Sequence, residues 1–253
     1  MLIQVKSLHK AFGKNQVLRG LDLEVCRGES LVILGGSGTG KSVLLRHLVA
    51  LYKPDQGSVI VDGVDMNSLS RKKLYQFRRK FGMSFQEGAL FDSMNAFDNI
   101  AFPIRRMERG FTEKDISKRV DECLDLVGMP SVGHLMPSQL SGGMRRRIGF
   151  ARSIALRPEI LLFDEPTTGL DPIMTSVLNN VIRGLSEQLH TTTITITHDL
   201  TSAQTIADRV AMMYMGRVIL IDQADAFFQS QDQVVRQFVE GRAEGPATDA
   251  MLR

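Results

Sequence analysis

The sequence has little cysteine, no long hydrophobic run and almost no net charge. Cys26 and Cys123 are the only cysteines among 253 residues. They are too few for a disulfide framework or a cysteine metal site and are consistent with a reducing compartment. The longest apolar runs, such as 31–34, are far shorter than the roughly 18 residues of a membrane-spanning helix. The net charge of +3 is too small to require a nucleic-acid partner.

The remaining composition is that of an ordinary globular protein. Hydrophobic residues make up 43% and charged residues 23% of the chain, which allows a buried core and excludes disordered and low-complexity classes. The length favours one large domain or a core with one inserted subdomain. Secretory signals begin with a basic segment and a long apolar one. Because the N-terminus has neither, we expect the chain to stay in the cytosol.

Hydrophobic periodicity predicts an α/β fold. Alternating apolar residues within 3–5 and 21–25 indicate half-buried strands of an N-terminal antiparallel sheet. Continuous apolar runs at 31–34 and 160–163 are typical of parallel strands covered on both faces. Further strands are expected at 58–62, 80–85, 193–197, 209–214 and 218–221. Between 86 and 156 helical spacing predominates, which predicts an inserted helical subdomain.

A glycine-rich segment, Gly35-Gly36-Ser37-Gly38-Thr39-Gly40-Lys41-Ser42, matches the pattern GxxxxGK[ST] between a predicted strand and a predicted helix. Glycines let consecutive backbone N–H groups converge on phosphate oxygens, and the N-terminus of the helix favours the same anion. The pattern therefore predicts a nucleotide site in which Lys41 reaches the β and γ phosphates and Ser42 coordinates Mg²⁺. The alternative is a glycine turn with an exposed lysine.

Two carboxylates, Asp164 and Glu165, follow the apolar run 160–163. They are predicted at the carboxyl end of a buried strand, where open α/β sheets bind ligands. In a protein with a P-loop, we expect Asp164 to hold magnesium and Glu165 to act on the attacking water as general base. The alternative is a pair of acidic residues that caps the next turn.

Further motifs resemble those of the ABC ATPases, in the same order. Leu140-Ser141-Gly142-Gly143-Met144 resembles the signature motif of that family, with Met144 in place of the usual glutamine. Phe12 stands at the position of the adenine-stacking aromatic, Gln86 at that of the Q-loop glutamine, Asp171 in the D-loop and His198 at that of the switch histidine. The resemblance covers nearly the whole chain, which is identified as an ABC nucleotide-binding subunit.

The resemblance implies a fold and a domain organisation. The expected fold is α/β, a RecA-like P-loop NTPase core with an N-terminal antiparallel β-subdomain and an inserted α-helical subdomain. A single ATPase domain is expected over 1–240, with the core at 1–86 and 157–222 and the helical subdomain at 87–156. A C-terminal helical extension and tail are expected at 223–253.

The resemblance also implies the site residues. The catalytic residues are Lys41, Gln86, Glu165 and His198, and the magnesium ligands are Ser42, Gln86 and Asp164. The ATP contacts are Phe12, Gly35, Gly36, Ser37, Gly38, Thr39, Gly40, Lys41, Ser42, Val43, Gln86, Ser141, Gly142, Gly143, Asp164, Asp171 and His198. Plain structural interpretations remain: Phe12 packs, Gln86 and His198 end strands, and Ser141 caps a helix.

The resemblance has consequences for assembly. In ABC ATPases, the counterparts of Ser141 and Gly143 of one subunit close on the γ-phosphate held by the counterpart of Lys41 in a second, which implies a head-to-tail pair of two copies. The segment 86–105 is rich in apolar residues, and the family places it against a membrane subunit. The alternative for these apolar residues is core packing within the helical subdomain.

The segments 86–105 and 140–147 resemble ATPases of the MCE-type lipid transporters, closely those of the Mla phospholipid system of Gram-negative bacteria. That resemblance implies a membrane permease, a periplasmic MCE-domain subunit, a small cytosolic STAS-domain protein and phospholipid cargo moved between inner and outer membranes to maintain outer-membrane asymmetry. It places the chain at the cytoplasmic face of the inner membrane.

Three other functions compete with this one. An ABC importer of amino acids or another small solute has the same chemistry. A second is an ABC ATPase that acts on DNA or ribosomes, which usually carries a coiled-coil insertion or two nucleotide-binding cores in one chain. A third is a P-loop GTPase, which needs an NKxD-type element to recognise guanine. The sequence has none of these features. The basic runs 71–73, 78–80 and 145–147 lack interleaved aromatics, so solvated helix faces are expected rather than a nucleic-acid surface.

Overall fold

The computed structural model describes residues 1–85, 88–108 and 110–251. The strands are β1 (Ile3–Phe12), β2 (Asn15–Val25), β3 (Ser30–Leu34), β4 (Gln56–Val61), β5 (Val64–Asp65), β6 (Phe81–Ser84), β7 (Ile160–Asp164), β8 (Thr192–Thr197), β9 (Arg209–Tyr214) and β10 (Arg217–Gln223). The helices are α1 (Lys41–Leu48), α2 (Arg71–Phe77), α3 (Ala96–Met107), α4 (Glu113–Leu126), α5 (Gly142–Ile154), α6 (Pro172–Leu189), α7 (Leu200–Ile206), α8 (Ala224–Phe228), α9 (Gln233–Glu240) and α10 (Pro246–Met251).

The chain divides into two compact units. The first comprises Met1–Leu74 together with the chain from Ile196 onward, and the second comprises Tyr75–Thr195. All the strands predicted from the sequence are present, including the N-terminal pair. The mixed α/β composition confirms the predicted fold class, whereas the predicted boundaries of the helical subdomain at 87 and 156 stay a prediction.

The first unit contains an antiparallel sheet in the order β2-β1-β4-β5. Ile3 of β1 lies opposite Val25 of β2 and Val61 of β4. The three side chains are buried, as the alternating pattern of these strands predicts, because alternate residues of a strand face the same side of the sheet.

The same unit contains the strand, loop and helix that carry the glycine-rich segment. All five residues of β3 are buried, and β3 pairs in parallel with β9, Leu31 opposite Arg209 and Leu34 opposite Met212. A hairpin joins β9 to β10, which is antiparallel to it. Residues 35–40 then connect β3 to α1, as the motif predicts.

The second unit contains the parallel pair β6 and β7 and the helices α3 to α6. Phe81 lies opposite Ile160, and Ser84 lies opposite Phe163. The backbone of α5 lies so close to β6 that a Cβ on Gly82 would be 2.2 Å from the Ser153 carbonyl oxygen. Glycine at this position therefore lets helix and strand pack directly against each other.

The end of the described chain contains the three helices α8, α9 and α10, while the division into a domain at 1–240 and an extension at 223–253 stays a prediction. The Asp232 side chain caps α9, accepting from the backbone N–H groups of Val234 and Val235 at 2.9 and 3.0 Å. The buried side chain of Gln237 accepts from the Ala247 N–H and donates to Thr248 Oγ1, which joins α9 to α10. In the described part of the chain no helix is long and apolar enough to span a bilayer.

Candidate functional site

The glycine-rich loop of the first unit folds around its own lysine. Lys41 Nζ donates to the carbonyl oxygens of Gly35 and Gly36 at 2.7 and 3.0 Å, and the Lys41 residue is 7% exposed. Gly38 and Gly40 have φ values of 76° and 102°, in the left-handed region that side chains disfavour. The loop thus curves over 35–40 and places its cation at the start of α1.

Gly40 is also held by packing. A Cβ on this residue would lie 3.0 Å from the side chains of Leu18 and Met213, so both its backbone angles and its surroundings require glycine. Its carbonyl accepts the first hydrogen bond of α1, from Leu44 N at 2.9 Å. The first turn of α1 contains no acidic residue, and a helix N-terminus with an adjacent ammonium group attracts anions. The residues present therefore fit the phosphates of a nucleoside triphosphate.

Phe12, at the end of β1, exposes an aromatic ring with 43% of the residue accessible. The Tyr52 ring supports it edge-on, with centroids 5.4 Å apart and planes at 66°, and Lys10 Nζ lies 5.6 Å from the Phe12 centroid. The arrangement leaves Phe12 partly open to a planar ligand. The sequence prediction did not include Tyr52. The one feature that could have indicated it is its position as an aromatic residue just after the helix that follows the glycine loop.

Behind Tyr52 lies a buried histidine of α1. The His47 ring is 5.8 Å from the Tyr52 ring, and His47 Nδ1 lies 2.7 Å from the carbonyl oxygen of Val43. Desolvation by burial lowers the pKa of His47. Arg46 Nη1 donates to the Tyr52 hydroxyl at 3.3 Å. Tyr52 therefore connects the Phe12 ring to two side chains of the helix that carries Lys41.

His198 is exposed and follows β8 at the start of α7. The next residue, Asp199, fixes the backbone there. Its N–H donates to Thr197 Oγ1 at 3.0 Å, and its carboxylate accepts from Thr201 N at 2.9 Å and Ser202 Oγ at 2.7 Å. His198 thus lies at the surface between a buried strand and a capped helix.

In the second unit, Asp164 and Glu165 differ in backbone and environment. Asp164 is the last residue of β7 and is 9% exposed. Glu165 has a φ of 50°, which is uncommon for a residue other than glycine. Thr168 Oγ1 donates to Glu165 Oε2 at 2.9 Å. Thr168 is a further residue that the sequence prediction missed.

The signature residues open α5. Ser141 is the N-cap, and its Oγ accepts from Met144 N at 3.2 Å. Gly142 begins the first turn beside Gly143, where a Cβ would lie 2.3 Å from Met174 Cε of α6. Ser141 therefore caps the helix, as the plain structural interpretation expects. The glycine-rich start of a helix with such an N-cap is also suited to binding an anion.

Asp171 caps the neighbouring helix α6. Its Oδ1 accepts from the backbone N–H groups of Ile173 and Met174, both at 2.9 Å. Because Met174 also lies over Gly143, the first turns of α5 and α6 lie against each other. Gln86, the remaining predicted site residue, lies outside the described residues.

The predicted magnesium ligands Ser42 and Asp164 offer a hydroxyl and a carboxylate oxygen. Oxygen donors of this kind are those that Mg²⁺ prefers, usually with phosphate and water as the other ligands. Over residues 1–85, 88–108 and 110–251, no group of three or more His, Cys, Asp or Glu side chains forms a separate metal cage. The Ser42 hydroxyl and the Asp164 carboxylate are by themselves donors of the kind that bind Mg²⁺ beside phosphate.

The second unit also has an apolar surface cavity of about 350 Å³. Phe91 and Phe102, both exposed, line it with ring centroids 5.0 Å apart. Arg152 of α5 lies beneath Phe91, with its guanidinium 5.6 Å from the ring centroid, and Arg152 Nη2 donates to the Gly88 carbonyl at 2.9 Å. Part of the predicted apolar segment 86–105 is thus a surface groove connected to α5.

Comparisons with known proteins place these features in a family. Residues 18–168 match the family model "ABC transporter". The chain is 41% identical over 244 residues to a protein of Mycobacterium leprae named probable ribonucleotide transport ATP-binding protein mkl, across 96% of this chain and 70% of that one. It is 41% identical to the intermembrane phospholipid transport system ATP-binding protein MlaF of Haemophilus influenzae, across 97% of this chain and 92% of that one.

A solved structure shows the same fold. It is the ATP-binding cassette MJ0796, described as dimeric in a post-hydrolysis state bound to ADP and Pi. The TM-score is 0.81 at 30% identity, over 88% of this chain and 99% of that one.

Proposed function

Because the chain belongs to the ABC transporter family, we propose that this ATPase powers the transport of phospholipid between the inner and outer membranes and so maintains outer-membrane lipid asymmetry. The observation that carries the proposal is the 41% identity to the H. influenzae MlaF protein over nearly the full length of both chains. The specific resemblance within 86–105 and 140–147 supports the same cargo.

The mycobacterial relative favours a second cargo. Its name assigns ribonucleotide transport, and its identity to this chain is also 41%. The chain covers 92% of the H. influenzae protein and 70% of the mycobacterial one. The more complete correspondence is with the phospholipid ATPase, and we therefore place phospholipid first.

The residues have separate tasks in ATP hydrolysis. The backbone of 35–40 and the Lys41 ammonium bind the β and γ phosphates, and the exposed Phe12 ring stacks on adenine. Ser42, Gln86 and Asp164 would hold Mg²⁺, and the bound ion would neutralise negative charge on the phosphates. Glu165 orients the attacking water and accepts its proton, and His198 contacts the γ-phosphate.

A second copy of the chain completes each site. Ser141, Gly142 and Gly143 of one copy bind the γ-phosphate held by Lys41 of the other through the N-terminus of α5, and Asp171 lies at the same interface. The dimeric state of MJ0796 with ADP and Pi supports this pairing. ATP thus joins two copies, and hydrolysis separates them.

The groove of Phe91 and Phe102 receives a helix of the membrane permease. The paired rings, the apolar lining and the cavity of about 350 Å³ suit a short apolar helix face. A periplasmic MCE-domain subunit and a cytosolic STAS-domain protein complete the assembly. The ATPase is then held at the cytoplasmic face of the inner membrane by its permease.

Isolation of the native complex tests the cargo and the partners. A tag on this chain, followed by mass spectrometry of co-purifying proteins and lipids, is expected to recover a permease, an MCE-domain protein and phospholipid. A matched preparation of the Phe91→Ala, Phe102→Ala double variant is the control and is expected to lose the permease. Recovery of a solute importer or of ribonucleotide without lipid overturns the phospholipid assignment.

Kinetics test the chemistry independently of cargo. Glu165→Gln removes the proton acceptor and keeps the shape of the side chain, so ATP binding is expected to persist while kcat falls by at least about 10²-fold. Near-wild-type hydrolysis by this variant is evidence against Glu165 as the base.

A further inference from the structure

Glu165 is connected to the signature helix α5 through a single turn of the chain. Thr168 Oγ1 donates to Glu165 Oε2 at 2.9 Å, and Thr168 N lies 3.4 Å from the Glu165 carbonyl oxygen. The guanidinium of Arg146, on α5, donates to the Thr168 carbonyl. The three residues all belong to the second compact unit. Side chain, turn and helix are therefore joined in one continuous path.

Both ends of this path are constrained. Glu165 has left-handed backbone angles, and such a conformation persists in a residue other than glycine only where surrounding contacts maintain it. Arg146 is 6% exposed, so its guanidinium lies within the fold. The Glu165 carboxylate accepts a hydrogen bond from Thr168, and Arg146 on α5 donates to the backbone of Thr168.

The start of α5 is tied to the same region by a second contact. Met174 Cε would lie 2.3 Å from a Cβ on Gly143, and Asp171 caps the helix that carries Met174. The turn after Glu165 is therefore held to α5 at Arg146, and the helix that follows this turn, α6, lies against α5 at Gly143. A shift of the first two turns of α5 changes the surroundings of both Thr168 and Asp171.

We propose that Thr168 is a positioning residue for the Glu165 carboxylate and that Arg146 couples this position to α5. The inference rests on the proposed function, in which Glu165 is the base and the start of α5 binds the nucleotide held by the second copy. The nucleotide of the second copy then orders α5, and α5 orders the base of its own chain through Arg146 and Thr168.

Substitutions at Thr168 test the first step. Thr168→Val keeps the shape of the side chain but removes the donor, so kcat of the full-length chain with MgATP is expected to fall by at least about tenfold, the lower end expected for one hydrogen bond to a charged group. The affinity for ATP is expected to stay within about twofold, because Thr168 has no proposed contact with nucleotide. Thr168→Ser keeps the donor and is expected to restore most of kcat.

Substitutions on α5 test the second step. Arg146→Gln is expected to lower kcat with little change in ATP affinity, as Thr168→Val does. Arg145→Gln is the matched control, because Arg145 precedes Arg146 on the same helix and is exposed. The kcat of the Arg145→Gln variant is expected to stay at the wild-type value. Equal losses from Arg145→Gln and Arg146→Gln overturn the proposed coupling.

The decisive measurement repeats these variants with Glu165→Gln. If Thr168 acts through Glu165, then Thr168→Val adds no further loss to the residual rate of Glu165→Gln, because residues that act as one unit are not additive. A further tenfold loss, or a wild-type kcat for Thr168→Val alone, overturns the inference. If Thr168→Val does not fold, Thr168→Ala and Arg146→Gln carry the same comparison. Near-wild-type hydrolysis by Glu165→Gln alone instead overturns the base assignment of the proposed function.

Discussion

Removal of the Phe12 ring tests the base-binding part of the site. Phe12 is 43% exposed and is supported on one side by Tyr52, so a ring surface is available to a nucleotide base. Stacking of a base on an aromatic side chain contributes roughly 1–3 kcal/mol. Phe12→Ala is therefore expected to weaken ATP binding by about 5- to 150-fold, since 1.4 kcal/mol corresponds to tenfold in affinity.

Calorimetric titration distinguishes base binding from phosphate binding. ATP and inorganic tripolyphosphate are titrated into Phe12→Ala in the Glu165→Gln background, which suppresses hydrolysis during the measurement. Tripolyphosphate affinity is expected to be unchanged, because its contacts are with 35–40 and Lys41. Phe12→Tyr retains the ring and is the matched control, with ATP affinity expected within about threefold of the parent.

Tyr52 provides a graded version of the same test. Tyr52→Leu removes an edge-to-face contact, which is worth roughly 0.5–1.5 kcal/mol beyond the buried area. The expected loss of ATP affinity is thus about 2- to 12-fold, smaller than that of Phe12→Ala. An ATP affinity unchanged by Phe12→Ala refutes the stacking assignment, and an equal loss for tripolyphosphate shows that the substitution disturbs the phosphate loop instead.

Three further predictions concern phosphate binding, packing and thiol chemistry. Lys41→Ala is expected to weaken tripolyphosphate binding at least about tenfold, measured by the same titration, with unchanged circular dichroism as the control. Gly82→Ala is expected to lower the free energy of unfolding by about 1–3 kcal/mol, because the new Cβ would lie 2.2 Å from a backbone oxygen. Gly184→Ala is the control, because its Cβ would lie 3.5 Å from a single flexible side chain; it is expected to raise the free energy of unfolding by about 0.5–1 kcal/mol. Urea melts measure both changes. Burial raises the pKa of the Cys123 thiol to about 11, so at pH 8 a thiol reagent is expected to modify the exposed Cys26 alone. Because the pKa of Cys123 is higher in the folded than in the unfolded chain, its contribution to stability is expected to be complete below about pH 8.5. That contribution is expected to be lost as the pH rises to about 11.

Local patterns predicted the main elements of the fold. Apolar runs and alternation depend on neighbours along the chain, and the runs at 31–34 and 160–163 are buried strands, as expected. The family and its motifs follow from short segments in a fixed order, and the family match over 18–168 agrees with them. The boundaries of the helical subdomain depend on contacts between distant segments, which periodicity does not encode, and they stay a prediction.

Some of the site residues can be recognised from local sequence, whereas others are identified only by contacts between separate elements. Lys41, Ser141 and Asp164 are recognisable because a few consecutive residues form the loop, the helix cap or the strand end that each requires. The order of residues by itself determined an ABC ATPase with a P-loop, a signature motif and an acidic strand end. Only the tertiary structure decided that Tyr52 lies against Phe12 and that Arg146 reaches the turn behind Glu165. Such contacts arise where separate elements pack, and their distances depend on the whole fold rather than on any local sequence pattern.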